Sequence, residues 1–154
     1  MGALAGALNL PPTLATLLVQ RGFGEVEAAR RYLRPRREQL TPPETLRSMD
    51  AAVERLVRAI RAGETVLVHG DYDVDGMCST ALLVEVLGAL GANAVPFTPH
   101  RLTDGYDLTE AGVREAQRVG ATLVLTADCG TSAREPIAQL AALGIETIVS
   151  DHHL

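Results

Sequence analysis

Thr65-Val66-Leu67-Val68-His69-Gly70-Asp71-Tyr72-Asp73-Val74-Asp75-Gly76 is the stretch on which the reading of this chain turns. Its first half is a short apolar β run without polar alternation, the pattern of a strand buried on both faces. Its second half crowds three carboxylates into five residues. Outward from it, strand and helix alternate. Met77 to Leu90 has a helical pattern and stops at Gly91. Asn93 to Thr98 reads as a strand, and Pro96 within it predicts a sheet edge. Thr109 to Val119 predicts a helix capped by Thr109 and ended by Gly120. Thr122 to Thr126 predicts a strand, Ser132 to Leu143 a helix ended by Gly144, and Ile145 to Ser150 a last strand. The fold class is therefore α/β, a parallel β-sheet flanked by helices.

The part before it reads differently. Pro11-Pro12-Thr13 opens a helix that Gly22 and Gly24 close, and Glu25 to Leu33 predicts a second short helix. Pro35, Pro42 and Pro43 punctuate a connector. Met49, Val53, Leu56, Val57 and Ile60 then mark an amphipathic helix, with Ser48 as N-cap and Gly63 as its stop. The expected organisation is a small helical N-terminal segment over 1–63 and the α/β domain over 64–154.

Composition narrows the function classes. The chain has 154 residues and is 47% hydrophobic, enough to bury a core. No apolar run approaches the ~20 residues of a membrane helix. The apolar N-terminus has no basic residue before Arg21 and does not read as a secretory signal. Cys78 and Cys129 make no disulfide framework and suit a reducing, cytoplasmic setting. Aromatics are 3% of the chain, too few for a stacking platform of several rings. Residues 1–65 hold ten Arg against seven acids, whereas 66–154 hold four Arg against twelve acids. An acidic half that binds an anion needs cations to invert its local field.

Ligands of open α/β sheets lie beyond the carboxyl ends of the strands. Three predicted strands end there in His69 with Asp71, Asp73 and Asp75, in Asp128-Cys129-Gly130, and in Asp151-His152-His153. Carboxylates and neutral imidazoles suit Mn²⁺ or Mg²⁺. On an extended strand end, His69, Asp71, Asp73 and Asp75 share one face, and Gly76 turns the chain into its helix. Simpler readings stand beside this. A calcium loop needs Glu six places after its Gly, where this chain has Leu82. Asp128 alone reads equally as a cap or turn residue, and His152-His153 as a tail. Arg101, after Pro99 and His100, reads as a bidentate phosphate ligand or a solvated surface residue. Tyr106 reads as a base or sugar contact or as packing. Cys129 reads as core. The run Arg30-Arg31-Tyr32-Leu33-Arg34-Pro35-Arg36-Arg37 reads as a contact to nucleic-acid backbone or as a solvated face.

Taken together, Gly70 to Gly76, Asp128-Cys129-Gly130 and Asp151-His152-His153 resemble the first three motifs of the DHH phosphoesterases. The likeness is to the branch of single-strand-specific 5′-to-3′ DNA exonucleases of repair and recombination. It runs from about Leu14 to the end and includes Leu17-Leu18-Val19-Gln20-Arg21-Gly22 and Pro99-His100-Arg101. The resemblance implies two divalent cations, Mn²⁺ or Mg²⁺. It implies His69, Asp73, Asp75, Asp128 and His152 as metal ligands, with Asp128 bridging. It further implies that His153 lies against the scissile phosphate, that Asp71 and Asp151 orient groups or water, and that His100 and Arg101 hold substrate phosphate. Single-stranded DNA is the implied partner, and a single-stranded-DNA-binding protein is a candidate second one; no membrane is implied. Two departures are visible. Asp107 stands where the family commonly has Gly, adding negative charge near a phosphate site. The chain also stops after the third motif, before the family's fourth-motif Asp and its further domains, so alone it is expected to be inactive or nearly so. Action on short oligonucleotides, cyclic dinucleotides or pyrophosphate is the alternative, against which Asp71-Tyr72 replaces the Asn-Pro of pyrophosphatase-like relatives. A non-catalytic DNA-binding scaffold is the other alternative, and such relatives tend to lose ligands that this chain retains.

Overall fold

The computed structural model describes residues 2–153. Its contacts divide the chain into two compact units, 1–47 and 48–154. The first is helical: α1 (Gly2–Leu8), α2 (Pro12–Gln20) and α3 (Val26–Leu33), then short 3₁₀ turns at Arg37–Gln39 and Pro43–Thr45. The apolar N-terminus forms α1, and its Leu4 is buried with Ala15, Leu18 and Ala29 in a small core. The rings of Phe23 and Tyr32 stack at 4.1 Å. Among the described residues, no single helix is long and apolar enough to cross a membrane.

The second unit contains α4 (Met49–Ala62), β1 (Thr65–Gly70), α5 (Val74–Ala89), β2 (Asn93–Phe97), α6 (Glu110–Arg118), β3 (Leu123–Ala127), α7 (Arg134–Ala142) and β4 (Glu146–Ile148). This contact-based division differs from the expected boundary at 63/64. The contacts assign α4 to the sheet unit, because Leu56, Ala59 and Ile60 pack against Val66, Val68, Leu123 and Leu125. Gly63 stops α4 in a left-handed conformation, as read from the sequence, but Ser48 does not cap it. Its own backbone is left-handed and its side chain makes no capping bond.

All strands are parallel, in the order β2-β1-β3-β4. Pro96 sits on the edge strand β2, where a missing N–H breaks no ladder. β1 and β3 are central and almost wholly buried. Their alternation splits the core in two. Leu67 and Val124 face a layer with Val113, Ala116 and Leu140 of α6 and α7. Val66, Val68, Leu123 and Leu125 face α4 and α5. From β1 the chain winds one way to β2, then crosses back to β3 on the other side of β1. That reversal opens a crevice at the carboxyl ends of β1 and β3.

Candidate metal centre

His69 is the last side chain of β1 before the crevice. Alternation puts it on the same sheet face as Leu67, under α6. Its ring lies 5.2 Å from that of Phe97. A Cβ at Gly112 would stand 2.7 Å from its Nε2, so α6 reaches this close only through glycine. The ring is fully buried, Nε2 has no hydrogen-bond partner, and Nδ1 lies 3.6 Å from Cys129 Sγ. Burial pushes the imidazole down to about 4 and keeps it neutral. Burial, with Asp107 nearby, pushes the Cys129 thiol up to about 12. Cys129 is core, not a nucleophile.

The extended-strand reading of the first motif is corrected by the structure. β1 ends at Gly70, Asp73 is the N-cap of α5, and Asp75 already lies in its first turn. Asp73 Oδ1 accepts the Gly76 N–H at 3.0 Å. The carboxylates thus fan around a helix N-terminus, whose exposed N–H groups and dipole favour negative charge. Gly76 is inside the helix rather than at a turn before it. A Cβ there would come within 2.7 Å of the Asp71 backbone, so glycine lets α5 sit on the chain leaving β1. The early helix also removes the calcium-loop alternative, since Val74 to Ala89 is one helix and leaves no loop to wrap an ion. Asp71 is 2% exposed, and its Oδ1 accepts the Tyr72 N–H at 2.7 Å. Burial, with the charges of Asp73 and Asp128, pushes its carboxyl up.

Asp128 follows β3 in a left-handed conformation, φ 67°, which Asp tolerates better than most residues. It caps no helix. Its N–H donates to Ser150 O at 2.9 Å, continuing the β3–β4 pairing beyond β4. That bond brings Asp151-His152-His153 beside Asp128. His152 Nε2 lies 2.9 Å from Asp128 Oδ1 and 3.9 Å from Asp75 Oδ2. His153 Nδ1 lies 3.9 Å from Asp128 Oδ1 and 2.8 Å from Asp151 Oδ1. Asp151 Oδ2 accepts the Thr131 N–H at 2.9 Å. Burial pushes the Asp151 carboxyl up, but bonds from Thr131 and His153 outweigh it and hold it well below the usual range. Asp151 in turn raises His153.

Two groups of donors result. Ligand atoms of Asp71, Asp73 and Asp128 lie within 4.8 Å of one another, as do those of Asp128, His152 and His153. Asp128 belongs to both. Its Oδ1 is buried without a hydrogen-bond partner, although His152 Nε2 stands 2.9 Å away. A carboxylate oxygen and an imidazole nitrogen that close form an ion pair when His152 is protonated, and could both contact one cation when it is neutral. The donor set, carboxylate oxygens plus imidazole nitrogens, fits Mn²⁺ and, with fewer imidazoles bound, Mg²⁺. His69 joins neither group, because strand alternation turns it beneath α6. Asp75 approaches only through His152.

The mouth of the crevice holds a residue that the sequence reading passed over. Tyr72 lies 6.1 Å from Tyr106, edge to face, and Tyr106 lies 6.2 Å from His153. Arg101 Cζ stands 5.2 Å over the Tyr72 ring. Overall scarcity of aromatics concealed this concentration of two of the three tyrosines at one place. The signal available was position, since Tyr72 lies within the first motif. His100 is occupied in its own turn: its N–H donates to Asp104 Oδ2 at 2.7 Å, and Nδ1 lies 3.2 Å from Thr103 Oγ1. Asp107 has a local structural use. Its backbone is left-handed, φ 75°, and its Oδ1 accepts the N–H groups of Leu108 at 2.7 Å and Gly130 at 2.6 Å. It ties the Tyr106 loop to the Asp128 loop.

With a parallel sheet whose strand ends collect carboxylates and imidazoles around one shared Asp, residues 65–154 match the model of the DHH family, N-terminal domain. The chain belongs to the DHH family. Its relatives include the single-stranded-DNA-specific exonuclease RecJ of Thermus thermophilus, 39% identical over 150 residues, and that of Salmonella typhimurium, 42% identical over 147. These cover 96% and 95% of this chain but 21% and 25% of the relatives, so the chain spans about a fifth to a quarter of their length. A crystal structure of exonuclease RecJ bound to manganese superposes with a TM-score of 0.68 at 41% identity, over 75% of this chain and 30% of that one. RecJ from Thermus thermophilus in complex with Mn²⁺ superposes with a TM-score of 0.67 at 34% identity, over 98% and 20%.

Proposed function

We propose that the protein carrying this chain is a metal-dependent exonuclease that removes 5′-mononucleotides from the 5′ end of single-stranded DNA, in repair and recombination. The observation that supports it most is the shared Asp128, placed between a carboxylate group and an imidazole group. The relatives' names and the manganese in their structures point the same way. Two Mn²⁺ or Mg²⁺ ions, bound here, would supply an activated water and a charge clamp on the phosphate. Asp73, Asp75, Asp128 and His152 would hold them; His69, the fifth donor that the family resemblance implies, would have to turn its unpartnered Nε2 out from beneath α6 to join them.

The chain's other residues then have separate tasks. With Asp151 ionised, His153 Nδ1 carries the shared proton, and Nε2 is left to face the scissile phosphate. The raised His153 favours the protonated form, which stabilises negative charge as it grows on phosphorus. Water oxygen bonds to phosphorus, the bond to the 3′ oxygen breaks, and that oxygen takes up a proton. Asp71, its carboxyl pushed up by burial, orients the water. Arg101 and His100 hold the 5′-side phosphate, and Tyr106 contacts the terminal base or sugar. The free thiols Cys78 and Cys129 suit a cytoplasmic setting.

Mn²⁺ titration by calorimetry on this chain and on Asp128→Ala tests the metal site. Binding in the parent that the variant loses supports it; equal binding in both removes it. Digestion of 5′-labelled single-stranded and duplex DNA by the protein carrying this chain tests the substrate. Release of mononucleotides from the single strand alone is expected. A preference for dinucleotides or pyrophosphate would replace the reading with a small-molecule phosphoesterase.

A further inference from the structure

The unit that carries the carboxylates is poorly charged for a polyanion. Residues 48–154 have a net charge of −8 and residues 1–47 a net charge of +3. Two divalent ions offset four of those eight negative charges. A nucleic-acid strand needs positive surface from elsewhere.

α3 provides one. Glu27, Arg30, Arg31 and Arg34 recur at i, i+3, i+4 and i+7, which is one helix face. Val26 and Ala29 turn the other way, into the small core. The chain does not run off beyond Arg34. Arg36 is extended, its N–H donates to Gln39 Oε1 at 2.8 Å, and the 3₁₀ turn Arg37–Gln39 folds back. Helix face and returning turn enclose a cleft of about 350 Å³ lined by Glu27, Arg30, Arg31, Arg34, Arg36 and Gln39.

Four guanidiniums meet one carboxylate there. Glu27 pairs with Arg30. Among the described residues, Arg31, Arg34 and Arg36 have no carboxylate partner. Like charges on one helix face destabilise it, and nothing local relieves them. A bound polyanion does. Guanidinium forks suit phosphate oxygens bidentately, and side chains three and four residues apart meet successive phosphates of one strand.

We infer that this arginine cleft binds the phosphate backbone of a nucleic-acid single strand, the substrate of the proposed activity, and supplies the positive surface that the sheet unit lacks. The inference rests on the single-strand reading above. The test is fluorescence anisotropy of a labelled oligothymidylate with the protein carrying this chain, in chelator, against salt, for the parent and Arg31→Gln/Arg34→Gln. Both positions are exposed, and circular dichroism checks that the helix persists. Affinity at low salt falls ~10-fold or more, and the slope of log K against log salt becomes shallower by about 1.4, two phosphates at ~0.7 each. Hydrolysis of a dinucleotide with metal restored stays at the parental rate. A parent that binds and digests the strand, with the variant unchanged in affinity and slope, overturns the inference and leaves the exonuclease reading standing. A parent that neither binds nor digests the strand overturns both. A substitution that weakens binding of labelled polyglutamate but leaves oligonucleotide affinity unchanged assigns the cleft to an acidic protein and overturns the inference too.

Discussion

The two ends of the sheet treat carboxylates in opposite ways. At the amino end, Glu64 precedes β1, Thr122 precedes β3 and Glu146 opens β4. Arg55 of α4, 8% exposed, ties them together: Nη2 donates to Glu64 Oε2 at 2.7 Å, and Nε pairs with Glu146. Thr122 Oγ1 donates to the same Glu64 oxygen at 2.6 Å. At the carboxyl end, Asp71, Asp73, Asp75, Asp128 and Asp151 collect with no Arg pairing them among the described residues. The first end is complete as a piece of protein. The second gathers carboxylates that repel one another, with only His152, His153 and backbone N–H groups beside them, and a cation would relieve that repulsion. The fold invests stability at one end and withholds it at the other, the usual pattern of a site built for function.

The largest test of that contrast removes the shared carboxylate. Asp128→Ala is expected to lower Mn²⁺ affinity by more than ~100-fold, beyond what loss of an outer partner costs. The metal-free variant is expected to melt within a few degrees of the parental temperature, since relief of the repulsion with Asp71 is offset by loss of the His152 contact and by an Ala in a left-handed conformation. Calorimetry and thermal melts in chelator read the two quantities. A marked fall in metal-free stability would show that Asp128 holds the fold together. The opposite end gives the opposite pattern. Arg55→Met leaves Glu64 with its Thr122 bond alone and Glu146 with Arg58 at 3.8 Å, and is expected to cost about 2 kcal/mol, less than the ~3–5 of a fully buried pair, because Glu146 is well exposed. Urea unfolding measures it, and Mn²⁺ affinity should stay within about twofold. A variant that unfolds normally but binds metal poorly would mean that the two ends are coupled.

Why the sequence disclosed so much of this, and where it stopped, follows from what each feature depends on. The strands around Val66 and Val124, and the helix stops at Gly63, Gly91, Gly120 and Gly144, depend on local pattern and chain conformation, so the α/β class was legible. The nearness of Asp128 and His152 was legible because both follow strand ends, which topology brings together. The placement of α4 was not, since an amphipathic face does not say which surface it covers. The paths of His69 and Asp75 depend on where β1 ends and α5 begins. Reading the strand as continuing to Asp75 put both on one face; a helix starting at Val74 separates them. Asp107 was read as a charge when its effect here is a left-handed turn and two hydrogen bonds. Tyr72 was hidden because ring-to-ring contact across three loops has no sequence period.

The smallest effect separates the ends by pH. In metal-free protein, bonds from Thr122 and Arg55 hold the Glu64 carboxyl below its ordinary value. Its folded form prefers to be ionised, so its stabilising contribution is fully present above the unfolded Glu value of about 4.3 and is lost as pH falls through the lower folded value. Asp71 is shifted the other way by burial and by Asp73 and Asp128. Its folded form prefers the proton, so it costs stability at neutral pH and that cost fades as pH falls through the raised value. At pH 7 in chelator, Glu64→Gln should therefore lower the melting temperature, by ~2–4 °C per kcal/mol lost for a domain of this size. Asp71→Asn should raise it. Moving toward pH 4 should shrink the Asp71→Asn gain first, because the wild-type carboxyl then protonates in place. Saturating Mn²⁺ should reverse the sign at Asp71 alone, since the ion then supplies the positive charge that the protein leaves out at this end. If metal left the Asp71→Asn difference unchanged, Asp71 would be a buried carboxyl beside the site rather than a group that feels the cation.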